Sequence, residues 1–188
     1  DNLSYLNRGF HRKATTAGDV EYIDSNCVFC GQCVAVCPTG ALTEKTMSGR
    51  ARRWDIERVR TTCPFCGTGC NFDLAVKDQK VIGVLSNPDS PVNGRSLCVK
   101  GRFGWDYIYS EQRLTTPLIK KNGQFEPATW DEAMDLIALK FNEIKSKYGP
   151  DSFAALSSAR CTNEENFLVQ KFSRAVMETN NVDHCART

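Results

Sequence analysis

Ten cysteines in 188 residues fall mostly into two ligand-like groups, and these constrain the chain more than any other feature. One group is Cys63-Pro-Phe-Cys66-Gly-Thr-Gly-Cys70, closed at a distance by Cys98 within Ser96-Leu-Cys-Val-Lys-Gly-Arg102. Four thiolates can hold a tetrahedral zinc ion or, one to each iron, a cubane 4Fe-4S cluster. Structural zinc sites more often use two C-x2-C pairs on separate knuckles. A tight triplet with a single remote partner favours the cluster. Gly67 and Gly69 allow sharp bends and let amide N–H groups approach sulfur. Disulfides rank last, because the cysteines stand at ligand spacings.

The other group, Cys27-Val-Phe-Cys30-Gly-Gln-Cys33-Val-Ala-Val-Cys37-Pro38, follows the bacterial ferredoxin run C-x2-C-x2-C-x3-C-P without deviation. In two-cluster ferredoxins the first three cysteines serve one cluster and the fourth serves the other, so the motif comes in pairs. One copy is present here. Two assignments therefore stay open: Cys27, Cys30 and Cys33 share a cluster that Cys37 does not touch, or all four bind one cluster. The first assignment puts the other half of the ferredoxin unit upstream of Asp1, and the chain reads as a piece of a longer polypeptide. Pro38 fixes φ and stops the short helix that a cysteine triplet opens.

A net charge of +2, from 24 basic and 22 acidic side chains, is no electrostatic footprint for nucleic acid. No apolar run approaches the roughly 20 residues of a membrane span. A hydrophobic content of 41% allows a packed core.

Between and after the cysteines the patterning is local. Asn2 to Val20 has no clear period and predicts an irregular or short-stranded lead-in. Ser48 to Arg53 reads as a connector. Phe72, Leu74 and Val76 alternate with polar residues, Lys77 to Lys80 turns the chain, and Val81 to Leu85 returns, which predicts a β-hairpin. Asn93-Gly94 is turn chemistry that brings Cys98 back to the triplet. Trp105, Tyr107 and Tyr109 read as packing residues.

Thr129-Trp-Asp-Glu132 and Thr162-Asn-Glu-Glu165 are capping boxes. The first opens a helix with Ala133, Leu136, Ile137, Phe141 and Ile144 at helical spacing, ended by Gly149-Pro150. The second opens a helix to about Glu178, with Phe167, Phe172 and Val176 on its inner face. Phe153 to Leu156 between them predicts a short buried strand, and the order suggests the start of a doubly wound α/β domain. Arg160, at the strand end before a helix N-terminus, is placed to touch an anionic cofactor tail. It could equally be a surface arginine paired with Glu164 or Glu165. Cys161 and Cys185 have no ligand spacing and read as unligated thiols.

Cys63-Pro-Phe-Cys66-Gly-Thr-Gly-Cys70 with Cys98-Val-Lys100-Gly-Arg102 resembles the N-terminal iron-sulfur domain of the molybdopterin oxidoreductases, which include formate dehydrogenases, assimilatory nitrate reductases and the large iron-sulfur subunit of complex I. The tail Asn180-Asn-Val-Asp-His184-Cys185-Ala-Arg187-Thr188 is similar to the formate dehydrogenase segment just before the metal ligand, a cysteine or selenocysteine. A selenocysteine codon read as stop would end the chain there.

The resemblance implies an α+β pair of iron-sulfur modules, at residues 1–47 (ferredoxin-like) and 48–113 (a β-rich 4Fe-4S domain). The start of an α/β molybdopterin-binding domain follows at 114–188. It implies molybdopterin guanine dinucleotide with molybdenum or tungsten in the parent protein, formate or CO2 as substrate, and electron-accepting iron-sulfur, flavin or hydrogenase subunits as partners. It also implies that Lys100 couples cluster and pterin, where chemistry alone offers a surface lysine or a counter-ion for the cluster. The catalytic residues would lie beyond Thr188. Thiolates beside iron imply a reducing compartment, hence the cytoplasm. Two rivals are an electron-transfer subunit with a vestigial pterin domain and a zinc-binding interaction module.

Overall fold

Local turn and cap signals set most elements of the computed structural model, which describes residues 2–185. The chain divides into two units: Asp1–Cys63 with Gly69–Asp106, and Pro64–Thr68 with Tyr107–Thr188.

In the first unit the lead-in is a short antiparallel hairpin, β1 (Leu3–Leu6) with β2 (Lys13–Thr16), in register from Leu3 opposite Thr16 to Leu6 opposite Lys13. Asp19 anchors it by pairing with Lys13 and accepting from the Thr15 hydroxyl at 2.7 Å. The ferredoxin motif forms one short helix, α1 (Gln32–Val36), which ends at Cys37 before Pro38. A three-stranded antiparallel sheet follows, in the order β3 (Glu57–Thr62), β4 (Asn71–Lys77), β5 (Lys80–Leu85). The expected hairpin is β4–β5, turned at Asp78 and Gln79, both at positive φ as a two-residue hairpin loop requires. β3 was not predicted: Glu57-Arg-Val-Arg-Thr-Thr62 has one apolar residue. It lies on an edge, where Arg58 and Arg60 reach the buried Asp73 of β4 at 3.8 and 3.5 Å. Phe72, Ala75, Ile82, Val84, Leu97 and Trp105 form the core, beside α2 (Val99–Phe103).

The second unit begins with a hairpin, β6 (Leu118–Lys121) and β7 (Gln124–Pro127), around Asn122-Gly123, both at positive φ. That dipeptide is a strong hairpin signal that went unread. α3 (Trp130–Tyr148) carries its predicted capping box, with the Thr129 N–H donating to Glu132 at 2.8 Å and the Glu132 N–H donating to the Thr129 hydroxyl at 3.2 Å. At its other end the Gly149 N–H donates to Lys145 O at 2.9 Å. β8 (Ala155–Ser157) and β9 (Val182–His184) pair in parallel around α4 (Asn163–Ala175), the crossover that parallel strands need. The architecture is mixed α/β.

Two expectations are corrected here. The strand after α3 starts at Ala155 and is not buried: Leu156 is 82% exposed. Phe167, Phe172 and Val176 are exposed, and the inner side of α4 is instead the one that carries the part-buried Asn166 and Val169 and the buried Ser173. Leu136, Ile137 and Ile144 of α3 are likewise exposed. Periodicity identified both helices, but a periodic face records only which side could be buried.

Candidate iron-sulfur site

The thiols of Cys27, Cys30, Cys33 and Cys37 line one cleft of about 990 Å³, with Tyr5, Tyr22 and Leu42 on its walls. Gly31 sits between the second and third cysteines at φ 67°, a left-handed conformation that frees the loop to turn into α1. Cys37 accepts N–H bonds from Leu42, Thr39 and Ala41 and a hydroxyl contact from Thr39, which together lower its thiol to about 7, the Leu42 amide contributing most. Amides turned toward a cysteine sulfur stabilise the thiolate, the form that ligates iron. Burial raises the Tyr22 hydroxyl, and the facing sulfurs of Cys33 and Cys27 raise it further.

Among the described residues no three His, Cys, Asp or Glu side chains converge as a single metal ion would require. A cubane cluster takes each thiolate on a different iron, and four cysteines lining one cleft are compatible with it. All four ferredoxin-motif cysteines face that cleft, and both assignments of Cys37 fit it.

The second group is divided. Cys63, Cys70 and Cys98 belong to the first unit, Cys66 to the second. The buried Cys63 donates its N–H to Cys70 O at 2.7 Å, and a side chain at Gly101 would lie 3.7 Å from the Cys63 sulfur. Cys98 is the N-cap residue of α2. Asn93 ties these positions together in a way the sequence reading missed. Its side-chain oxygen accepts from Asn71 N–H at 2.7 Å, while its amide donates to Asn71 O at 3.1 Å and Ser96 O at 2.8 Å. One side chain thus holds the residue after Cys70 to the residue two before Cys98. Asn93-Gly94 was legible as a turn, but a turn signal says nothing of a clasp.

In the second unit, the Cys66 loop is gripped through Gly67. Its N–H donates to Ala159 O at 3.4 Å and its carbonyl accepts from the Asn163 amide at 2.9 Å. A Cβ at Gly67 would stand 2.9 Å from the Asn163 oxygen, so a side chain there would have to displace the Asn163 amide that holds the Gly67 carbonyl. Phe65 packs edge-on against Tyr107, with ring centroids 6.1 Å apart.

Lys100 is exposed on α2, two residues past Cys98. Arg160 is exposed in the loop between β8 and α4, and among the described residues it makes no ion pair with Glu164 or Glu165. The Cys185 thiol is lowered by the Ser158 hydroxyl, 3.1 Å away, then by the Ala159 N–H and the Arg160 charge. Ala186, Arg187 and Thr188, which complete the tail motif, lie outside the described residues. Among the described residues no helix is long and apolar enough to cross a membrane.

Residues 20–43 match the 4Fe-4S binding domain, 56–110 the molybdopterin oxidoreductase Fe4S4 domain and 113–188 the molybdopterin oxidoreductase family. A Staphylococcus aureus (strain bovine RF122 / ET3-1) protein named "Putative formate dehydrogenase" is 39% identical over 215 residues, covering 94% of this chain and 22% of its own length. The "Probable oxidoreductase YjgC" of Bacillus subtilis (strain 168) is 41% identical over 207 residues, covering 90% of this chain and 21% of its own. The chain thus spans about a fifth of the relatives it matches. The cysteine groups and the α/β unit that follows them agree with all three matches, and the chain belongs to the molybdopterin oxidoreductases.

Proposed function

We propose that this chain is the electron-relay portion of a formate dehydrogenase that uses a bis-pterin molybdenum or tungsten centre. The parent enzyme would convert formate to CO2, a proton and two electrons, or run the reverse. The observation that carries the reading is that both cysteine motifs contribute to one unit, where Gln32 of the ferredoxin motif donates to Ser96, two residues before Cys98, at 2.9 Å. A relay needs its carriers adjacent and fixed. The relatives' formate dehydrogenase names supply the substrate.

On this reading Cys63, Cys66, Cys70 and Cys98 hold one 4Fe-4S cluster, while Cys27, Cys30 and Cys33 hold another, with Cys37 on it or on a neighbouring cluster. These clusters supply one-electron transfer when bound. Lys100 couples the Cys98 side to the pterin, and Arg160 binds a phosphate of the guanine dinucleotide beside the α4 N-terminus. The sheet around β8 and β9 extends into a doubly wound domain. Electrons leave to an iron-sulfur, flavin or hydrogenase subunit in the cytoplasm.

The test is anaerobic purification of the full-length protein, with iron, sulfide, molybdenum, tungsten and zinc counted per chain and formate-driven reduction of a viologen dye assayed. Iron, sulfide and molybdenum or tungsten with dye reduction are expected. Iron and sulfide without molybdenum or tungsten would replace the reading with a pure electron-transfer subunit, and zinc without sulfide would overturn it.

A further inference from the structure

Arg102 is the most unusual side chain of the first unit. Its backbone belongs to the second cysteine motif, one helical turn after Cys98, where its N–H donates to Cys98 O at 3.0 Å. Its side chain is 2% exposed and lies against the ferredoxin motif. A Cβ built at Gly31, between Cys30 and Cys33, would fall 2.8 Å from the Arg102 Nε and 3.1 Å from its Cδ and Cγ. No residue but glycine fits there: φ is 67° and the guanidinium stem fills the space.

The guanidinium is held from behind. One terminal nitrogen donates to the Ser86 hydroxyl at 2.6 Å, and the other faces the buried Glu44 carboxylate at 3.7 Å. Among the described residues the Nε–H and the second Glu44 oxygen have no hydrogen-bond partner. A buried cation with an unpartnered N–H, pressed on the loop between two iron ligands, is costly unless something anionic compensates it. Glu44 compensates only in part. Burial lowers the Arg102 side chain, Glu44 opposes this, and the sulfurs of Cys30 and then Cys33 oppose it further. For Glu44 burial raises the carboxyl and Arg102 lowers it, with no cysteine acting on it. The positive end of the pair therefore faces the ferredoxin motif.

We propose that Arg102 is a potential-setting residue for the cluster bound by Cys30 and Cys33, held in place by Glu44 and Ser86. The one-electron couple makes the reduced cluster more negative by one charge. A fixed cation in a low-dielectric site stabilises the reduced form and raises the reduction potential, as net charge and hydrogen bonding do for such clusters. The second cysteine motif thereby sets the driving force at the first. This holds under either assignment of Cys37. The inference rests on the iron-sulfur reading of the ferredoxin motif and not on formate chemistry.

The test is an EPR-monitored redox titration of the full-length holoenzyme at pH 8, with iron and sulfide counted, the relevant signal being the one lost in Cys30→Ser. Arg102→Gln is expected to lower that cluster's potential with iron content unchanged, and Arg102→Lys, which keeps the charge, to restore it most of the way. An unmoved potential in Arg102→Gln, or equal shifts in both variants, would overturn the proposal. If Arg102→Gln does not retain the cluster, Glu44→Gln decides: leaving the cation uncompensated is expected to raise the potential, and an unmoved or lowered value would overturn the role. Absence of iron and sulfide from the wild-type protein would instead remove the iron-sulfur reading itself.

Discussion

Phe72 and Phe172 are the same side chain in two settings. Phe72 is 4% exposed in the core of the iron-sulfur unit, and Phe172 is 45% exposed on α4. In the first unit short elements are fixed by tertiary means: a three-stranded sheet, the Asn93 clasp, and the buried Arg102–Glu44 pair. In the second, two longer helices are fixed at their ends by capping boxes, and α3 buries none of its residues among those described. A cap satisfies N–H groups at a helix start without burying any apolar area. An element can therefore be well defined locally while most of its apolar side chains stay exposed, as on α3, where Phe141 packs against Phe153 but Leu136, Ile137 and Ile144 do not bury.

Truncating the two phenylalanines in the 188-residue chain is the strongest way to break this contrast. Phe72→Ala removes a buried ring and leaves a cavity, at a cost of roughly 3–5 kcal/mol. Phe172→Ala takes away a ring that is already about half in water and is expected to cost about 1 kcal/mol. Urea denaturation followed by circular dichroism measures both. Equal losses would mean that the α4 face is packed, and that the two units are not built differently.

The same contrast explains what was legible in the sequence. Cysteine spacing, capping boxes and the β4–β5 alternation are short-range codes, and Thr129–Glu132, Thr162–Glu165 and the turn at Asp78-Gln79 stand where residues a few positions apart predicted them. β3 was missed because its contribution is an edge ladder and two arginines on Asp73, which leave no hydrophobic period. Asn93 and Arg102 were missed for a related reason. Their roles join positions 22 and 71 residues apart, Asn93 with Asn71 and Arg102 with Gly31, and no local window contains both ends. The buried faces read for α4 and for the strand after α3 failed on the same ground, since burial depends on a partner that the period does not name.

Caps in the second unit sharpen the comparison at a smaller scale. Thr129→Ala removes one half of the α3 box and is expected to cost about 1 kcal/mol. The box also makes α3 pH-sensitive. The Thr129 N–H, then its hydroxyl, hold the Glu132 carboxyl below its ordinary 4.5. A carboxyl lowered in the folded state stabilises it fully above the unfolded value, and the contribution is lost as pH falls through the folded one. The protection factors of the Thr129 and Glu132 amides, each measured against the intrinsic exchange rate at the same pH, should therefore fall below about pH 4.5 in the wild type, and Glu132→Gln should abolish that dependence. Protection that stays flat with pH would remove the carboxylate from the cap.

The smallest effect belongs to the first unit and concerns a single sulfur. Cys37 is lowered to about 7, chiefly by the Leu42 amide and next by the Thr39 hydroxyl. Its alkylation by iodoacetamide in the metal-free chain, followed by peptide mass spectrometry, should rise with pH around a midpoint near 7. Thr39→Val deletes one donor to the thiolate, so the midpoint should move upward, by less than the full distance to the ordinary thiol value because the amides remain. An unchanged midpoint would assign the shift to the backbone alone. The ferredoxin loop would then hold its fourth thiolate by chain conformation, much as Gly67 is held by its own N–H and carbonyl in the second unit.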